Sequence, residues 1–250
     1  MQFFKKSIAL SALFIFSAAA FSQGVTIKPF ISHPFVRLGE VNDNIAGDIR
    51  TFRESSGAAI PSPGEFNGER TFGAQAEYHL NEDYFFNISV SFYNETVETH
   101  FDGLQPAPIV LDYQREVRSY DFMLNLDYYF NYNNWKRFNK YLGVGVGLIL
   151  VNADSKTFYK VKDELLIDSD GEFTKTGLSA LLSAGMTYRL ASLLSLWGEG
   201  GYQVSNVGQL DGKVTTIDNP TRTDFTTNSA FDLSGFFIRG GLGITLPFLN

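Results

Sequence analysis

The 250-residue chain has no cysteine. Disulfides, thiolate nucleophiles, cysteine-ligated zinc and the lipidated cysteine of a lipoprotein are therefore excluded. Histidine is scarce as well, with only His33, His79 and His100, each on a different segment. Cations are outnumbered, 20 Lys and Arg against 27 Asp and Glu, so the basic surface that nucleic-acid phosphates require is missing and no nucleic acid is expected as a partner. After residue 24 no apolar run approaches the roughly 18 residues that mark a membrane-spanning helix. Aromatics, by contrast, are abundant, with 24 Phe and 12 Tyr.

The first 22 residues, MQFFKKSIALSALFIFSAAAFS, place Lys5 and Lys6 before an apolar run that ends in small residues at Ala20 and Ser22. This is the layout of a cleaved secretory signal peptide. Its removal leaves 23–250 as a single exported domain, more acidic than the full chain and dependent on strand pairing and burial for stability.

Period-2 alternation dominates the mature chain. In YLGVGVGLIL, residues 141–150, Leu142, Val144, Val146, Leu148 and Leu150 share one strand face, while Gly143, Gly145 and Gly147 share the other. The glycines miss the spacing of a dinucleotide-binding turn. Tyr84, Phe86, Ile88, Val90 and Phe92 oppose Asn87, Ser89 and Ser91; Tyr120, Phe122, Leu124, Leu126, Tyr128 and Phe130 oppose Ser119, Asp121, Asn125 and Asp127. Comparable patterns fall at 72–79, 178–189, 194–203 and 236–248. A further candidate, VTIKPFISHPFV, is weakened by Pro29 and Pro34, each of which removes a ladder donor. Eight strands result.

The connections alternate between long stretches near 38–68, 100–112, 161–174 and 206–231 and short ones near 81–83, 131–139 and 191–193. Long and short turns then lie at opposite ends of an up-and-down meander, as in bacterial outer-membrane barrels. Aromatics at both ends of an aliphatic band suit the two interfaces of a bilayer. The candidate interface aromatics are Tyr84, Phe92, Tyr120, Tyr128, Phe130, Tyr188 and Phe248. The fold class expected is all-β, an eight-stranded antiparallel up-and-down transmembrane β-barrel; the alternative is a soluble exported ligand-binding barrel whose apolar faces point inward.

The segments NKYLGVGVGLIL, AGMTYRLASLLSLWGEGGY and GFFIRGGLGITLPF resemble strands five to eight of small bacterial outer-membrane β-barrel proteins, the group of the OmpA transmembrane domain, OmpX and OmpW. The resemblance implies the bacterial outer membrane as location, outer-membrane lipid as surroundings, the barrel-assembly machinery as a partner during biogenesis, and a monomer. The family usually ends on an aromatic residue read by that machinery. Here Phe248 is followed by Leu249 and Asn250, so the terminal signal is displaced by two residues.

Catalysis and metal binding find little support. Ser32 and His33 are adjacent, so in a strand they point to opposite faces. Asp168, Asp170 and Glu172 in DSDGE lack the spacing of an EF-hand loop and read as a solvated turn. Lys136, Arg137 and Lys140 near Trp135 read as an interfacial anchor. No catalytic residue, metal or cofactor is expected. The informative charges are those on the non-lipid faces: Glu77, Asp121, Asp127, Glu199, Arg189 and Arg239. In a narrow interior these must pair or meet water, and Glu199 and Arg239 lie on sequence-adjacent strands at similar height. The expectation is a closed interior and a non-enzymatic role in envelope integrity or surface interaction, with a narrow channel or transport protein for small or apolar solutes as the alternative.

Overall fold

The computed structural model describes residues 24–36, 38–104, 108–130, 132, 137–162, 164–217 and 221–247. The signal-peptide segment, Trp135, Lys136 and Phe248 lie outside them. In chain order come β1 (Gly24–Phe35), α1 (Gly39–Ser56), β2 (Thr71–His79), β3 (Tyr84–Gly103), β4 (Ile109–Tyr129), β5 (Phe138–Val161), β6 (Glu164–Arg189), β7 (Leu194–Thr216), β8 (Thr223–Asp232) and β9 (Gly235–Pro247).

Strands β1 to β7 pair in sequence order, β7 pairs with β9, and β9 returns to β1, all antiparallel. The ring therefore closes on eight strands. β8 stands outside it: the lower half of β7, through Gln203, pairs with β9, and the upper half, from Asn206, pairs with β8. The doubtful proline strand is a full member. The β1–β9 ladder keeps one register but is interrupted between Ile27–Ile244 and Phe30–Gly241, at Pro29, which has no N–H to give.

Side chains follow the alternation. Val146 is 64% exposed and Leu142, Val144 and Leu148 are exposed with it, as are Phe122, Leu124, Leu126, Ile238, Leu242 and Ile244 around the ring. A continuous outward apolar band on a closed barrel has one compatible solvent, bilayer hydrocarbon. The glycines of β5 face inward. A Cβ on Gly143 would stand 2.5 Å from Asp127 Oδ1 and 2.6 Å from Ser183 Oγ, so the missing side chain makes room for the polar groups of the neighbouring strands.

The long connections are not loops. β3 with β4, β5 with β6, and β7 with β8 continue as paired strands far past the band, so 100–112, 161–174 and 206–231 are mostly extensions of the sheet. DSDGE, expected as a solvated turn, is strand within β6. Along these extensions the two faces exchange character. On β3 the outward residues change from Phe86, Ile88, Val90 and Phe92 to Asn94, Thr96, Glu98 and His100, while the inward residues change from Asn87 and Ser89 to Tyr93 and Val97. Outside the band the outer surface meets water, and the inner surface has become a core.

What fills that core is α1, in a segment expected as loop. Val41, Ile45, Ile49 and Phe52 share one helical face at spacings of four, four and three. They pack against Val97, Ile109, Leu111, Val117, Val151 and Leu210 of the extended strands. Burying such side chains contributes about 1.5–3 kcal/mol each. The helix stops at Gly57, whose φ of 67° gives a left-handed cap with its N–H on Arg53 O at 2.8 Å.

Candidate functional site

Below the α1 core the barrel interior is polar, and four of its charges form two ion pairs. Arg239 on β9 lies opposite Glu199 on β7 in the strand register, and Arg239 Nη2 donates to Glu199 Oε1 at 2.9 Å. The side chains are 10% and 2% exposed. Tyr141 on β5 donates its hydroxyl to the other carboxylate oxygen, Glu199 Oε2, at 2.9 Å. To reach it the ring crosses β6 at Gly185, the register partner of both Tyr141 and Glu199. A Cβ on Gly185 would collide with that ring, so glycine opens the path.

The second pair was not foreseen. Lys28 on β1 donates to Glu77 Oε2 at 2.5 Å, and both are almost wholly buried. Tyr129 also donates to Glu77 Oε2, at 3.1 Å. Lys28 sits 5.8 Å and 5.5 Å from the ring centroids of Tyr141 and Trp197, which links the two pairs into one layer. Parity held the signal for Lys28, since it alternates with Thr26, Phe30 and Ser32 on the face opposite Ile27 and Ile31. The prolines obscured it by weakening the strand itself.

The remaining acids take neutral partners. Asp127 accepts from Asn87 Nδ2 at 2.5 Å, and Asn87 in turn accepts from Gln75 Nε2 at 3.0 Å. Asp121 accepts from Gln203, whose Nε2 also donates to Ser205 Oγ at 2.8 Å. Arg189 lies at the short-turn end, where its backbone N–H donates to Arg137 O at 2.7 Å, apart from the central pairs.

Aromatic rings close the short-turn end. Phe85, Tyr129 and Tyr141 are buried together, with Tyr132 against them, and His79 stacks on Phe85 at 4.3 Å. Small cavities lie inside among the described residues. One of about 80 Å³ lies between α1's core and the ion pairs and is lined by Asp121, Gln203 and Arg239; another, about 40 Å³, lies on the far side against Lys28, Glu77 and Tyr129.

The expected interface aromatics form two groups on the outer surface. Phe92 and Tyr120 touch at 5.1 Å at the end nearest the extensions; Tyr84, Tyr128 and Phe130 cluster at the short-turn end with centroids 5.2–5.3 Å apart, and Tyr188 is exposed on β6. The histidines are dispersed. Ser32 faces inward and His33 outward, His79 is in the aromatic plate, and His100 lies on the outer face of β3 with Nδ1 2.5 Å from Asp112. Asp168, Asp170 and Glu172 all point outward from β6, and Glu172 pairs with Arg222 at 3.0 Å.

Residues 8–229 match a family model described as the outer membrane protein beta-barrel domain. Among solved structures, the outer membrane protein OprG from Pseudomonas aeruginosa is similar with a TM-score of 0.50 at 11% identity, over 91% of this chain and 97% of that one. A major outer membrane protein from Thermus thermophilus gives 0.46 at 10% identity, over 89% and 99%. Neisserial surface protein A gives 0.40 at 13%, over 89% and 96%. No curated protein matches the chain in sequence. At these identities the likeness to OprG concerns the fold.

Proposed function

Because the chain belongs to the outer membrane protein β-barrel domain family, we propose that it is a non-enzymatic barrel of the bacterial outer membrane that serves envelope integrity or surface interaction. Its long extensions face the outside of the cell, and its short turns face the periplasm. The observation that carries this reading is the threefold closure of the interior: the α1 core, the layer of Lys28–Glu77 and Glu199–Arg239 pairs, and the aromatic plate of Phe85, Tyr129 and Tyr141. A route for solutes would have to dismantle all three. The outer face of the extensions is densely charged, with Glu116, Asp154 and Glu172 in one cross-strand row flanked by Arg118 and Arg222. That is a hydrated surface suited to contacts outside the cell.

Planar-bilayer recording of the purified protein tests the closed interior. The expected result is baseline current with rare brief openings. A large steady conductance would overturn the reading in favour of transport.

A further inference from the structure

At the outer rim of the apolar band, three neighbouring strands build a step. The register sets Ile31 of β1 beside Phe72 of β2, and Phe72 beside Phe92 of β3. All three side chains point outward and are exposed. Two residues further on lie His33 of β1, Arg70 immediately before β2 and Asn94 of β3, all exposed. Residues 67–69 stand beside that row, and together they bound a cleft of about 850 Å³ with Phe72 and Phe92 on its apolar side.

This shelf is built, although it belongs to no helix or strand. Glu95, inward on β3 and buried, accepts the backbone N–H of Asn67 at 3.0 Å and of Gly68 at 3.2 Å. Gly68 has a φ of +77°, and a Cβ there would come within 2.6 Å of Pro34 O, so the shelf lies directly against β1. Arg70 makes no ion pair or hydrogen bond among the described residues. Arg118, in the same outward row and paired in register with Asn94, is instead held by Asp154 and Glu116. An unpaired guanidinium at the edge of an aromatic floor, continuous with the lipid-facing surface, is complementary to an amphiphile with an anionic head.

We propose that this cleft is a head-group site for a phosphate-bearing lipid of the outer leaflet. Arg70 takes the phosphate oxygens, the amides of Asn67 and Asn94 lie at the rim, and Phe72 and Phe92 lie along the first part of an acyl chain. Glu69 shares the rim, so its carboxylate opposes the Arg70 charge and keeps the selectivity small. The inference rests on the outer-membrane reading above.

The test uses the full mature chain in phosphatidylcholine bilayers containing trace spin-labelled phosphatidic acid or spin-labelled phosphatidylcholine. The fraction of each probe that is motionally restricted is then read by electron paramagnetic resonance. The unmodified protein should restrict phosphatidic acid about threefold more, the size of one guanidinium contact at a membrane surface. Arg70→Gln should bring the ratio close to one, Arg70→Lys should keep most of the excess, and Lys213→Gln, outside the cleft, should leave it unchanged. Equal restriction of both probes by the unmodified protein, or an excess that survives Arg70→Gln, overturns the site while restricted phosphatidylcholine still supports the barrel. Restriction of neither probe overturns the outer-membrane reading as well. Loss of the excess when inorganic phosphate matches the lipid phosphate overturns the lipid as occupant, because a free anion would then suffice.

Discussion

Replacing Arg239 by Ala removes the cation held against Glu199, and the cost can be worked from their surroundings. Glu199 is 2% exposed and would keep only the Tyr141 hydroxyl at 2.9 Å. Breaking a buried pair by deleting one partner costs about 3–5 kcal/mol, and the surviving donor places this case near the lower end. Arg239 also lies 5.1 Å and 5.3 Å from the ring centroids of Phe30 and Phe237, so truncation loses packing besides charge. Packing loss is common to Arg239→Ala in either background and cancels in a double-mutant cycle with Glu199→Gln. A neutral amide still accepts from Tyr141 and leaves no buried charge. The double variant should therefore lose only about 1–2 kcal/mol, less than Arg239→Ala alone, for a coupling of at least about 1 kcal/mol. Urea titrations of folding into lipid vesicles, followed by the fluorescence of Trp197 and Trp135, measure all four corners. Strictly additive losses would show that the geometric pair carries no energetic coupling, and the ion-pair layer could not then be counted as a closure.

Other perturbations probe the band, the plug and the outer surface in turn. Val146→Arg, on the lipid face, should destabilise the folded barrel by about 2–4 kcal/mol if the residue lies near mid-bilayer; unchanged folding and heat-resistant gel mobility in lipid would argue against the band as the membrane surface. Ile49→Ala should cost about 2–5 kcal/mol within the α1 core and speed hydrogen exchange in α1 while β5 and β6 inside the band stay protected; equal loosening of both would mean that plug and barrel open together. His100 has its pKa raised above 6.5 by its hydrogen bond to Asp112 and by that carboxylate's charge. Its contribution is full below 6.5 and is lost as pH rises through the folded value, and an NMR titration in which Asp112→Asn left the midpoint unmoved would refute the assignment.

Within the band, sequence parity was enough to place nearly every side chain, because bilayer and lumen impose opposite solvents on adjacent residues. The same rule concealed the extensions. Past Phe92 the apolar parity of β3 moves from even to odd residues, from Val90 and Phe92 to Tyr93 and Val97. Along the aliphatic face the pattern stops there, although the strand continues to Gly103. α1 was legible in the spacing of Val41, Ile45, Ile49 and Phe52, but its glycines, Asp and Asn gave the segment the composition of a loop. In the lumen, Glu199 and Arg239 followed from topology alone. Lys28 depended on accepting a strand with two prolines, and Tyr141 on seeing that Gly185, on the strand between Tyr141 and Glu199, leaves space for its ring.

The place of α1 has its own physical cause. β1, β2 and β9 end near the rim of the band, so the six strands that continue beyond it form an open sheet whose outermost members are β3 and β8. Open edges invite pairing with other chains. The segment from 38 to 70 answers at both of them with side chains in place of a ladder. At β8, Glu40 accepts the Ala230 N–H at 2.8 Å and Asn44 contacts Ser229. At β3, the relation is reversed, and Glu95 of the strand accepts N–H groups of the shelf. Between these two attachments Asn42 holds Phe66 through both its backbone groups, at 3.1 Å and 2.9 Å, which folds the helix and the shelf into one body. The element that fills the inner face of the open sheet is thus also the one that closes its gap, and the shelf carrying Arg70 is positioned by that closure.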